Sequence, residues 1–109
     1  QSIRHSARVG DLMPLDLGAP GRVILAFSAK TGPIYDEIRS QGFYATFGER
    51  DPQVASLAVP IFKDGDKLFG SLALTGPPAR FTEQAIQKNL EILQMAARKL
   101  SAAMGGEPG

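Results

Sequence analysis

The hydroxyls of Ser56, Ser71 and Thr75, the lone His5, the triplet Glu49-Arg50-Asp51 and the segment Gly18-Ala19-Pro20-Gly21 are the groups whose types and spacing could do chemistry. Each suggests a different chemistry. His5 is the only histidine and cysteine is absent, so a Ser-His-Asp relay, a cysteine nucleophile and a thiolate zinc site cannot be assembled. A single histidine in an alternating segment reads as structural. Glu49-Arg50-Asp51 reads as a solvated turn rather than an acid–base pair. Gly18 to Gly21 lacks the Gly-Lys-Ser/Thr ending of a phosphate loop. The backbone N–H groups from Ala19 to Arg22 lie where a helix should start, and could hold either a carboxylate or water. Asp16, just upstream, could orient a ligand but more often caps a helix or sits in a turn. An enzyme is the weakest functional class here, and no metal or cofactor is expected.

The three hydroxyls belong to a hairpin. Asp64-Gly65 stands between alternating apolar runs, the strongest short-range signal for two antiparallel strands. Counting outward from a two-residue turn pairs Lys63 with Asp66, Ile61 with Leu68, Leu57 with Leu72, Ser56 with Ala73 and Val54 with Thr75. One face then carries Ala55, Leu57, Val59, Ile61, Leu68, Leu72 and Leu74, and needs a helix over it. The opposite face carries Ser56, Ala58, Ser71, Ala73 and Thr75. Short side chains leave volume above the sheet, and hydroxyls give direction within it, which suits the floor of a pocket for a small polar ligand. The same pattern also occurs where a helix approaches closely, or where a large side chain such as Tyr44 or Phe47 fills the space.

The remaining elements must position that hairpin. Ile3, His5, Ala7 and Val9 alternate with polar residues and predict a strand. Pro20 suits the first turn of a helix with the apolar body Val23 to Phe27, which Lys30 to Pro33 ends. A second helix runs from Ile34 to Gln41 and stops at Gly42. Strands are predicted at Phe43 to Phe47, Val54 to Phe62 and Lys67 to Thr75, and Gly76-Pro77-Pro78 ends the last of them. Thr82 caps a long helix with the apolar stripe Ile86, Leu90, Leu93, Ala97, Leu100 and Met104, which Gly105-Gly106 terminates. Two-stranded pairing flanked by helices predicts an α+β domain with an antiparallel sheet.

Composition sets the frame for partners. Residues 1–109 form one domain, with 43% hydrophobic and 21% charged residues, ordinary for a globular chain. The longest apolar run, Val23 to Phe27, is far short of the roughly 20 residues that cross a bilayer. No membrane partner is expected, and a cytoplasmic location is the default. The net charge is +1 with lysine and arginine scattered singly, so these residues alone are not expected to grip nucleic acid.

The run GFYATFGERDPQVASLAVPIFKDGDKLFGSLALTGPPARFT resembles the effector-binding domain of IclR-type transcriptional regulators. The resemblance rests on Gly42-Phe43, the segment Gly48 to Asp51, Val59-Pro60-Ile61-Phe62, Thr75-Gly76-Pro77 and Arg80-Phe81-Thr82, in that order and spacing. Upstream, GDLMPLDLGAPGRVILAF is similar to the family's segment before its first helix, and the likeness extends from Gly10 to Met104. It implies a GAF-like antiparallel sheet with helices packed on one face and a small-molecule ligand cavity on the other, and a separate N-terminal winged helix-turn-helix for DNA that these residues do not contain. Carried over position by position, the implied ligand-binding residues are Gly18, Ala19, Pro20, Gly21, Thr46, Ser56, Ala73 and Thr75. The resemblance further implies a homo-dimer or tetramer, with DNA bound only through that other domain. Asp16 stands where the family usually has histidine, Thr46 where a carboxylate often sits, and Ala73 at a usual hydroxyl position. These changes imply a less charged, roomier cavity, and donors at Ala19 to Arg22 favour a small organic acid as effector. The stretch from Phe27 to Gly42 is about twenty residues shorter than the family pattern, well beyond ordinary loop variation. A pure oligomerisation module is the alternative reading.

Overall fold

A computed structural model describes residues 17–49 and 51–105. The expected strand at Ile3 to Val9, with His5 and Asp16, lies outside the described residues, as does Arg50. Chain order is α1 (Ala19–Ala26), α2 (Pro33–Gln41), β1 (Tyr44–Phe47), β2 (Ala55–Lys63), β3 (Lys67–Gly76), a short 3₁₀ turn (Pro78–Arg80) and α3 (Glu83–Ala103). The three strands form one antiparallel sheet in the order β1-β2-β3, as an α+β reading requires.

Local chemistry explains the boundaries. Both short helices carry proline in the first turn, where its missing donor costs nothing. Gly42 closes α2 with φ 82°, a left-handed position that a side chain would strain, and its N–H reaches Ile38 O at 2.8 Å. Arg39 ties α2 to the end of α1: its guanidinium donates to the carbonyls of Ala26 (2.6 Å) and Lys30 (2.7 Å) and pairs with Asp36. Thr82 caps α3 by accepting from Ala85 N–H at 3.2 Å.

The core is split by the sheet. On one face Ala55, Leu57, Val59 and Ile61 pack with Phe81, Leu93 and Ala97 of the chain's C-terminal part. On the other, Ala58 packs with Ala19, Val23 and Ala26 of α1 and Tyr35 and Ile38 of α2. The alternation assigned the β2 residues and Ser71 to Thr75 of β3 to their correct faces, but not Leu68, which pairs with Phe62, whose ring meets Phe27 on the α1 side. The second face is not left open, however. Helix α1 lies on it, and the small Ala58 and Ala73 let it approach. Covered on both sides, β2 is buried from Ala55 to Phe62 without a break. Pro60 is tolerated there because β1 ends at the Tyr44↔Ala58 pair, so among the described residues only β3 pairs with β2 at that level.

The hairpin register differs from simple counting by two residues, and both have a cause. The loop holds three residues, since Lys63 pairs with Lys67 rather than Asp66. The N–H groups of Asp64 and Gly65 do not close a two-residue turn. Asp64 N–H donates instead to Met104 O (3.2 Å) and Gly65 N–H to Gly105 O (2.8 Å), at the end of α3. A bulge then falls between Ile61 and Phe62: Phe62 faces Leu68, Ile61 faces Gly70, and Phe69 is the extra residue. Next to that bulge, Phe62 N–H bonds to Ser101 Oγ on α3 at 3.0 Å. Ser56 therefore faces Thr75 instead of Ala73, Leu57 faces Leu74, and Val54 precedes the strand. A shift of two preserves which face each residue occupies.

The stripe on α3 needs one correction. Leu93 and Ala97 are buried, but Leu100 is 43% exposed and Ser101 takes its place at 1%. A serine satisfies the Phe62 N–H, which an apolar residue could not.

Candidate functional site

Three hydroxyl residues stand in one row across the sheet. Thr46 on β1 pairs with Ser56 on β2, which pairs with Thr75 on β3. Thr46 and Ser56 are buried and Thr75 is exposed. The start of α1 lies above the row, and between them is a cavity of about 40 Å³ lined by Gly18, Pro20, Thr46, Glu49, Ser56 and Thr75, with Asp51 and Val54 at its margin. Ala19, Gly21 and Ala73 sit beside this space, in the packing of α1 against the sheet, and do not line it. Neither large candidate fills it: Phe47 points to the opposite face against Phe81, and Tyr44 packs with the α1–α2 cluster.

Gly18, Ala19 and Arg22 N–H, at the start of α1, have partners within the fold. Gly18, at the N-cap, offers no side chain, so other elements supply the acceptors. Thr46 Oγ1 accepts from Ala19 N–H at 3.1 Å. Pro20 has no N–H, and Arg22 N–H is bonded to Gly18 O at 3.1 Å. The anion-holding position is instead made by Gly18 N–H and the Arg22 side chain. Both donate to Glu49 Oε1, each at 2.7 Å. Arg22 is steadied from behind by the Tyr35 hydroxyl at 3.4 Å.

Glu49 is thus no solvated turn residue. Its side chain is 25% exposed and that of Arg22 is 18%. Burial by itself pushes the Glu49 carboxyl up, but hydrogen bonds from Arg22 and Gly18 N–H outweigh it and leave the value lowered. The hydrogen bond to Glu49 raises Arg22 further. Burial raises the Tyr44 hydroxyl, against the pull of the nearby Arg22 charge. Ser56 is 7% exposed and its hydroxyl has no hydrogen-bond partner among the described residues.

The cavity is smaller and more charged than the substitutions at Asp16, Thr46 and Ala73 imply, because the Glu49 carboxylate turns inward. Sequence reasoning missed Glu49 and the Arg22 side chain as site residues. They lie 27 positions apart, and no local pattern announces their meeting. Two other hollows exist. One of about 130 Å³ lies between Gly42, Pro60, Gln94 and Arg98. A shallow groove of about 330 Å³ runs along the outer side of α3 past Ile92 and Met95. The former also carries a hydroxyl, Ser101, and a cation, Arg98, but that hydroxyl already accepts from Phe62 N–H. The groove is lined by Glu91, Ile92, Met95, Ala96 and Lys99 and holds no hydroxyl. Among the described residues no cluster of His, Cys, Asp or Glu could hold a metal, and no helix is long and apolar enough to cross a membrane.

Known proteins share this fold. The chain is 27% identical to the HTH-type transcriptional regulator KdgR of Escherichia coli over 129 positions, covering 95% of this chain and 49% of the relative. It is 25% identical to the KdgR of Dickeya chrysanthemi, of which it covers 42%. The chain therefore spans about half the length of the curated relatives it matches. The matched stretch exceeds the 109 residues of this chain, so the relatives carry positions that it lacks, in keeping with its short Phe27 to Gly42 segment. The crystal structure of the C-terminal domain of E. coli KdgR superposes with a TM-score of 0.75 at 28% identity, covering 84% of this chain and 71% of that one. The Thermotoga maritima IclR structure superposes at 0.81 with 24% identity, covering 96% of this chain and 53% of that one. Residues 34–102 match the family described as bacterial transcriptional regulator IclR C-terminal, and it is to this family that the chain belongs.

Proposed function

We propose that this chain is the effector-sensing domain of an IclR-like transcription regulator, and that a small organic acid binds between the start of α1 and the Thr46–Ser56–Thr75 row. The observation that carries the reading is the convergence of Gly18 N–H and Arg22 Nε on one carboxylate oxygen beside that row. Two donors aimed at one point, with hydroxyls at hand and apolar walls nearby, suit a ligand with a carboxylate head and a small body. The effector would act by binding one arrangement of the full-length regulator better than another and so shifting its population. DNA contact belongs to residues outside this chain, in keeping with a net charge of +1 and with relatives named as HTH-type regulators. The protein works in the cytoplasm as a homo-oligomer and catalyses no reaction.

The test is calorimetry on the 109-residue chain with acetate, propionate, lactate, succinate and gluconate, alongside propylamine and glucose. A carboxylate should bind and the amine and sugar should not. Thr75→Val keeps the volume and removes one hydroxyl, so affinity should fall by about 1 kcal/mol, roughly fivefold. Unchanged affinity in that variant would move the site elsewhere.

One observation favours a second reading, a module that only joins subunits. Ile92 and Met95 on α3 are 57% and 53% exposed along the outer groove. Sedimentation of an Ile92→Glu variant, paired with the ligand panel, separates the two: assembly lost with no ligand found supports the module.

A further inference from the structure

We propose that Glu49 is an internal stand-in for the ligand: its carboxylate fills the subsite made by Gly18 N–H and Arg22 Nε, and a ligand carboxylate binds by taking its place. The inference rests on the carboxylate reading above and adds how that site is held closed.

Four observations carry it. First, Gly18 N–H and Arg22 Nε meet on one oxygen of Glu49, each at 2.7 Å, the geometry an incoming carboxylate would need. Second, the cavity is about 40 Å³ with Glu49 as one of its walls, so withdrawal of that side chain enlarges the space at the point where the two donors meet. Third, Ser56 lines that space, 7% exposed, with a hydroxyl that has no partner among the described residues. No buried side-chain N or O atom among the described residues lacks a partner, so this oxygen opens into the cavity, where a ligand oxygen would bond to it. Fourth, Glu49 follows Gly48 in the connection between β1 and β2 rather than in a strand, so its side chain can withdraw without breaking the sheet.

Displacement also follows from charge. A ligand carboxylate placed against an unmoved Glu49 carboxylate would be repelled. Once Glu49 leaves, Arg22 remains oriented by Tyr35. Affinity for a ligand is then reduced by the fraction of molecules in which Glu49 occupies the subsite.

The experiment uses propionate as the probe and propionamide as its neutral counterpart, read by thermal shift and calorimetry on wild type, Glu49→Ala and Glu49→Gln. Removing the occupant should tighten propionate binding by about tenfold or more in Glu49→Ala. It should tighten less in Glu49→Gln, whose amide oxygen still accepts from both donors. Arg22→Met in the Glu49→Ala background should abolish the gain, and propionamide should have no effect. Equal propionate affinity in all three proteins would overturn the displacement while leaving the carboxylate reading standing. Binding of propionamide as strong as propionate would mean that a hole is being filled, and would overturn the anion subsite. No binding by any of them would overturn both. If Glu49→Ala does not fold, the comparison of Glu49→Gln with wild type decides the question by the same criteria.

Discussion

Glu49 and Arg22, 27 positions apart, meet through a single oxygen: Oε1 accepts from Arg22 Nε at 2.7 Å and from Gly18 N–H at the same distance. The pair joins the end of β1 to the first turn of α1. It also gives the fold an acid-sensitive contact. The Glu49 carboxyl lies below its ordinary 4.5 in the folded chain, so the folded state prefers it ionised. Its contribution is fully present above about pH 4.5 and is lost as pH falls through the lowered value. The Arg22 guanidinium, raised further by its hydrogen bond to Glu49, stays charged throughout that window. Urea denaturation between pH 6 and 3 should therefore show wild type losing more stability than Glu49→Gln as the solution is acidified. Parallel losses in both would mean that the pair adds nothing to the fold.

Thr46 Oγ1 is the acceptor for Ala19 N–H, and Thr46 is 6% exposed. Thr46→Val retains the shape and leaves that buried donor unpaired. We expect a loss of about 1–2 kcal/mol in chemical denaturation, with Thr46→Ser keeping most of the stability. A neutral Val substitution would show that water replaces the hydroxyl.

Ser101 is 1% exposed, and its Oγ accepts from Phe62 N–H at the bulge. Ser101→Ala should cost about 1–2 kcal/mol, reduced slightly by alanine's better helix propensity. Hydrogen exchange offers a direct check. The Phe62 amide should lose protection in the variant more than its neighbours Ile61 and Lys63 do.

Much of this fold was legible in the sequence because the signals were local. Prolines and Gly42 marked the two short helices, Thr82 marked the start of α3, and period-two alternation sorted the β2 residues and those of β3 from Ser71 to Thr75 onto their faces, while the bulge turned Leu68 to the other side. The hairpin register was not legible. It depends on Asp64 and Gly65 donating to Met104 and Gly105, a contact set by how far α3 runs and not by the turn residues. The exposed Phe69 at the bulge gives no warning either, since an extra residue looks the same as a regular one in an alternating run. The hydroxyl row was found through the small-residue face, although the pairing that aligns Ser56 with Thr75 was placed two residues away. Arg22 and Glu49 went unread because a long-range ion pair between single charges has no signature in spacing.

Amide chemical shifts test the ligand site most directly. The 109-residue chain, labelled with ¹⁵N, is titrated with acetate, propionate, lactate, succinate and gluconate. The account predicts saturable shifts for at least one of them, centred on Gly18, Ala19, Thr46, Glu49, Ser56 and Thr75, with α3 largely unmoved. Shifts centred on Gly42, Gln94 and Arg98, or along Ile92 and Met95, would contradict it, as would a spectrum that none of the five acids changes.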